Sequence, residues 1–161
     1  MILFLDTEFS DLSPGMEVLS LALVSLDGKY EFYGERNDVP AERCSEFVRQ
    51  EVLPQLQARP PYAGDLLNLR ARLREFVEGL PEQARLACDS HFDMSHVSNV
   101  LGKPWPKTLS GERMSLQEWK EKPVFAQAQE RYHDGGRPYH HALSDARGLR
   151  AGYLAWQKNA K

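Results

Sequence analysis

A chain of 161 residues can bury one substantial core and is short for two ordinary domains, so a single domain over residues 1–161 is expected. Its formal charge of −3 and pI near 6.0 lay down no basic footprint for broad phosphate neutralisation, although a carboxylate site that borrows positive charge from bound cations stays open. Cys44 and Cys88 form no Cys-x-x-Cys pair, which argues against zinc-finger and dithiol chemistry and fits a reduced, cytoplasmic setting; the acid-interrupted amino terminus is no signal peptide, and no apolar run is long enough to cross a membrane.

Residues 2–8 read as a buried strand and residues 17–26 as a second. Asp27-Gly28 turns the chain into a third strand over 29–34, where Tyr30, Phe32 and Tyr33 favour extended structure. These three form an antiparallel meander. Pro40 and the acids after it predict a helix running through Val52. Leu66, Leu69, Leu73, Phe76, Val77 and Leu80 mark another at amphipathic spacing, with Arg70, Arg72 and Arg74 as its solvated face. A fourth strand is expected over 84–88 and a helix over 92–101, ended by Gly102. Lys103-Pro104-Trp105-Pro106 must be a loop, because prolines remove donors and disfavour helical geometry before them. Residues 115–132 predict one helix, or two broken near Pro123. His133-Asp134-Gly135-Gly136-Arg137-Pro138 is turn-rich, and a final helix covers 142–157. The pattern is that of a three-layer α/β domain with a mixed sheet.

The chemistry gathers at the two ends of the chain. Asp6 and Glu8 share one face of the first strand, since strand side chains alternate with period two. Two buried carboxylates need compensation, because an isolated one must be paired or change its protonation state. With Asp145 and a histidine arriving from residues 140–145, they describe a cage for hard divalent cations.

Asp6-Thr7-Glu8, Phe92-Asp93 and His140-x-x-x-x-Asp145, in that order, resemble the three exonuclease motifs of the DnaQ-like superfamily of 3'-to-5' exonucleases, histidine (DEDDh) branch. Asp6-Thr7-Glu8-Phe9 is similar to the first motif of its compact bacterial exoribonucleases. The resemblance implies a ribonuclease-H-like fold, a mixed five-stranded sheet flanked by helices, and stepwise release of nucleoside 5'-monophosphates from the 3' end of single-stranded or 3'-overhanging nucleic acid. It implies two Mg2+ or Mn2+ ions per site, about 3.5–4 Å apart in such centres, and a slight preference for RNA; the oligomeric state stays open between monomer and homodimer, although relatives are often dimers. Asp6 would bridge both ions, Glu8 and Asp145 would complete the site that holds the attacking water, and Asp93 would serve the other ion. Thr7, Phe9 and His140 are the expected substrate contacts, Phe9 by stacking on a base.

The second motif departs from the family pattern. Many relatives carry His-Asn-x-x-Phe-Asp, whereas Asp89 stands here where the Asn would be, so two acids compete for one metal role and Asp93 is the expected ligand. For the general base, family spacing selects His140; His141, four residues before Asp145, suits a hydrogen-bonded contact or a zinc pair. Two rival classes are a nucleic-acid-binding or adaptor domain of the same fold without turnover, and a zinc hydrolase built on His140 and His141.

Overall fold

The computed structural model describes residues 1–59 and 61–159. Alternation along the first strand sets its layers. β1 (Ile2–Phe9) sends Leu3 and Leu5 into one apolar cluster and Phe4 into another on the opposite face. β2 (Val18–Ser25) is buried along its whole length, as expected of a strand covered on both sides. It pairs antiparallel with β1, Asp6 opposite Ala22, and with β3 (Glu31–Arg36). The chain then crosses to the other side of β1, where β5 (Ala84–Cys88) and β6 (Leu109–Ser115) add in parallel; the two-residue β4 (Ala63–Gly64) extends the far edge. The order is β4-β3-β2-β1-β5-β6. Five strands of five residues or more make the expected mixed sheet, and β4 brings it to six.

Helices α1 (Leu66–Glu78) and α2 (His91–Leu101) cover the Leu3 and Leu5 face through Leu69, Leu73, Val97 and Val100. After the short α3 (Gln117–Lys120), α4 (Pro123–Asp134) and α5 (Ala142–Asn159) cover the other face through Phe125, Ala146, Leu149 and Tyr153. This is the three-layer α/β arrangement with helices on both faces of a mixed sheet. No described helix is long and apolar enough to cross a membrane.

Several elements depart from the sequence pattern, each for a physical reason. β6 shows no apolar alternation, because it is an edge strand with only Leu109 buried. In place of one helix over 40–52 there is a 3-10 turn (Ala41–Arg43), a π-helical turn (Val48–Val52) and a second 3-10 turn (Leu53–Gln55). Pro54 lacks the amide hydrogen a regular helix would use there. The arginines of α1 are clasps, not a solvated face. Arg70 donates to the carbonyls of Asn99 and Val100, Arg72 to those of Tyr33 and Tyr62, and Arg74 to those of Leu101 and Pro104.

Close approach of α4 to α5 depends on Gly152, where a Cβ would lie 2.6 Å from two ring carbons of the fully buried Phe125. Alanine would gain about 0.5–1 kcal/mol in helix propensity. Overpacking a ring with nowhere to go costs about 1–3 kcal/mol. Gly152→Ala should therefore lower stability by urea denaturation, by about 1–2 kcal/mol net; a gain would show that the two helices slide freely.

Candidate active site

The sheet topology marks a place for a site. β1 lies between β2, to which the chain first turns, and β5, to which it returns, and open α/β sheets bind ligands beyond the carboxyl ends of strands at such a reversal. Asp6 and Glu8 occupy that end of β1, and a register shift between Glu8 and Phe9 marks a bulge that re-aims the last side chains. Alternation turns Asp6 and Glu8 toward α5 and leaves Thr7 and Phe9 toward α2. Thr7 donates its hydroxyl to Asp93 at 2.7 Å, and Phe9 packs on Phe92 and on His96, the latter at 4.7 Å between ring centres.

The other acids come from helix starts. Asp93 lies in the first turn of α2, which Ser90 caps by accepting the amide hydrogen of Phe92. Asp145 lies in the first turn of α5 and accepts the amide hydrogen of His141 at 3.1 Å. Each helix amino end carries partial positive charge, which favours a carboxylate there. Asp89 follows β5 and is paired with Lys120 at the end of α3.

These acids form two overlapping triads. One oxygen each from Asp6, Glu8 and Asp145 lie within 4.8 Å of one another, and the same holds for Asp6, Asp89 and Asp93. Asp6 belongs to both. They line a cavity of about 460 Å³ together with Thr7, Phe9, Lys120 and His140.

Crowding and burial show in the protonation chemistry. Burial, then the charges of Asp93, Asp145, Glu8 and Asp89, holds Asp6 well above the ordinary carboxylate range. Burial, then Asp145 and Asp93, pushes Glu8 up to about 8. Asp93 rises to about 7, chiefly through burial, with the Thr7 hydroxyl pulling the other way. Asp145 is raised by burial against the opposing influence of His133 and the His141 amide. A divalent cation would reverse all of these shifts. The donors are all carboxylate oxygens, which suit hard cations such as Mg2+ or Mn2+ better than zinc. Oδ2 of Asp93 is buried with no hydrogen-bond partner, leaving a lone pair for an ion.

The two histidines part company. His140 is exposed at the cavity with a left-handed backbone (φ 60°), its ring edge-on to Phe47 at 4.9 Å. Gln55 donates to the carbonyl of Tyr139, next to it in the chain, at 2.8 Å. His141 stacks on Tyr33 at 4.9 Å, and burial lowers its pKa. It precedes α5, so the shared helix face does not arise, and its contact with Asp145 runs through the main-chain amide.

Lys120, His133 and Gln55 also stand at the site without belonging to any of the three motifs. For His133, the one signal in the sequence is the spacing Phe125, Gln129, His133, a four-residue stripe on α4. His133 closes the last full turn of α4 instead of opening a turn-rich stretch.

No family model matches this chain. A stretch of 75 residues is 36% identical to two curated proteins of Mycobacterium tuberculosis, from strains CDC 1551 / Oshkosh and ATCC 25618 / H37Rv, each named a 3'-5' exoribonuclease. The match covers 47% of this chain and 42% of each relative, so less than half the length of the curated relatives is spanned.

Acids whose folded-state pKa exceeds the unfolded value stabilise the fold while protonated, and that contribution is lost as pH rises through the folded pKa. Below pH 7 the buried His96 and His141, held neutral in the fold, act in the opposite direction. Between pH 7 and 8.5 the carboxylates dominate. In EDTA, Tm should fall across that interval as Glu8 ionises, and Mn2+ should raise Tm more at pH 8 than at pH 6, since protons and cations compete for the same oxygens. Scanning calorimetry across the interval tests this; a flat or rising Tm in EDTA would contradict it.

Proposed function

We propose that this chain is a metal-dependent 3'-to-5' exonuclease of the DnaQ-like histidine branch. Residues 1–161 form its single catalytic domain and release nucleoside 5'-monophosphates from single-stranded or 3'-overhanging nucleic acid, RNA before DNA. The observation that carries this reading is the sharing of Asp6 by two carboxylate triads facing one cavity with His140. The exoribonuclease names of the partial relatives support it.

In this reading Asp6, shared by both triads, would contribute to two Mg2+ or Mn2+ sites, with Glu8 and Asp145 at one and Asp93 at the other. When bound, such ions stabilise the charge that develops on the attacking and leaving oxygens of an in-line phosphoryl displacement. Lys120 already balances the charge of Asp89, so Asp93, whose Oδ2 has no partner, is the stronger ligand of the two. Thr7 fixes Asp93 from behind through its hydroxyl and lines the same cavity.

His140 accepts the proton of the attacking water. It stands in the cavity wall with its ring edge-on to Phe47, whereas the His141 ring is packed on Tyr33. Beside the acids a second cavity of about 340 Å³ is lined by Phe9, Leu12, Phe47, Val48 and Val52, with Leu12 and Phe47 exposed. An apolar wall next to a metal cluster suits the face of a terminal nucleobase, which any base presents.

Incubating the protein and Mn2+ with 5'-labelled single-stranded RNA and DNA of one sequence tests the reading directly. A ladder shortening from the 3' end, with nucleoside monophosphates as products and faster loss of the RNA, is expected. EDTA should stop the reaction. Asp6→Ala should abolish it while leaving the fold intact, because removing one acid relieves like-charge repulsion. Near-normal cleavage by Asp6→Ala would end the two-triad argument.

The base assignment has its own signature. General-base help is worth about 10²- to 10⁴-fold. His140→Ala should lose about that factor and flatten the acid limb of the pH-rate profile while still binding oligonucleotide. His141→Ala should lose much less. A larger loss in His141→Ala, or an unchanged acid limb in His140→Ala, would reassign the base.

A further inference from the structure

His133 is enclosed completely, its side chain 0% exposed, yet it is polar at both ends. Nδ1 lies 3.3 Å from the carbonyl oxygen of Arg137, in the segment that leads to His140. Nε2 lies 3.3 Å from Oδ1 of Asp145 without an aligned hydrogen bond, and has no other polar partner. Its ring stacks on Tyr139 at 3.9 Å between centres, with the planes 20° apart. A buried nitrogen left unpaired is costly, so this placement calls for an explanation.

The surroundings are shaped for the ring. A Cβ on residue 148 would lie 2.8 Å from Nε2, so only glycine on α5 lets the imidazole reach Asp145. The main-chain amide of His141 meanwhile holds the other carboxylate oxygen, Oδ2. Asp145 is thus gripped from two directions, and one grip comes from a side chain that also contacts the segment bearing His140.

Resting on the reading of Asp145 as a metal ligand, we propose that His133 is a positioning residue. Its Nε2 donates to Oδ1 of Asp145 when that carboxylate is ionised on a divalent cation, and its stacking on Tyr139 holds the His140 segment in register with the ligand. The imidazole is a strut between the acid and the base of one site, and it touches neither water nor substrate.

Partners that hydrogen-bond to a metal ligand from outside are typically worth 10- to 100-fold in metal affinity. The test is Mn2+ affinity by titration calorimetry, which reads the strut without turnover. His133→Phe keeps a ring against Tyr139 and removes both nitrogens; it should weaken Mn2+ binding 10- to 100-fold. His133→Gln keeps a donor near the position of Nε2 and should stay within a few-fold of wild type. Gly148→Ala leaves every nitrogen in place but drives the ring from Asp145, and it carries the same comparison should His133→Phe not fold. Equal Mn2+ affinity in wild type and His133→Phe, or in wild type and Gly148→Ala, would overturn the strut alone. A wild-type protein that binds no Mn2+ would overturn the metal reading and the strut with it.

Discussion

Like charges crowded into one partly buried corner are the constraint around which this protein is organised. Two unit charges at the separations found within the acidic triads repel by about 3–4 kcal/mol at an effective dielectric near 20. Three such pairs in one triad would approach the whole stability of a domain, about 5–15 kcal/mol. The carboxylates therefore cannot all be ionised together unless cations intervene; otherwise some of them hold protons. The raised pKa values of Asp6, Glu8, Asp93 and Asp145 are the protonic solution. Bound metal is the one that leaves every acid ionised.

A cluster of this kind survives only on rigid supports. β1 is paired with β5 at its start, with β2 along its length and covered on both faces, so Asp6 and Glu8 are fixed against the fully buried β2. Asp93 and Asp145 begin the helices that cover opposite faces of the sheet, and their dipoles lessen the repulsion where it is greatest. Thr7 ties Asp93 to the back of β1. The acids are thus held by three elements that meet only in the folded chain, and β1 and α5 lie at its two ends in sequence.

Much of this was legible in the sequence because it rests on period. Alternation over residues 2–8 places Asp6 and Glu8 on one face, and the order of acids and histidines along the chain anticipates the cluster. What stayed hidden depends on tertiary contact. β6 could not be read, since an edge strand with one buried residue has no apolar rhythm. The arginines of α1 looked solvated, because nothing local announces a carbonyl thirty residues away. Asp89 and Asp93 are alike in kind, and Phe92-Asp93 favours the second; in the fold they take different partners, a lysine on α3 and a threonine on β1. His133 sat beside two glycines and read as turn, although its place is set by the stripe it continues on α4 and by a glycine on α5.

Adjacent histidines show how finely the backbone divides roles. A non-glycine residue in the left-handed region is uncommon and persists where its surroundings over-determine it. Around His140 those surroundings are Phe47 against its ring, Gln55 on the carbonyl before it, and α5 beginning two residues later. The positive φ turns the chain so that one imidazole faces the cavity while the next lies flat on Tyr33. Tyr33 is itself fixed, its hydroxyl donated to the buried Glu35, which also accepts the amides of Gln57 and Ala58. The irregular segment after residue 40, expected from the sequence to be one helix, therefore has a consequence at the site. Through Phe47 and Gln55 it holds the His140 turn from outside, as Glu35 and Tyr33 hold His141 from within. The acids owe their positions to regular structure, whereas the histidine beside them owes its own to a turn braced from two sides.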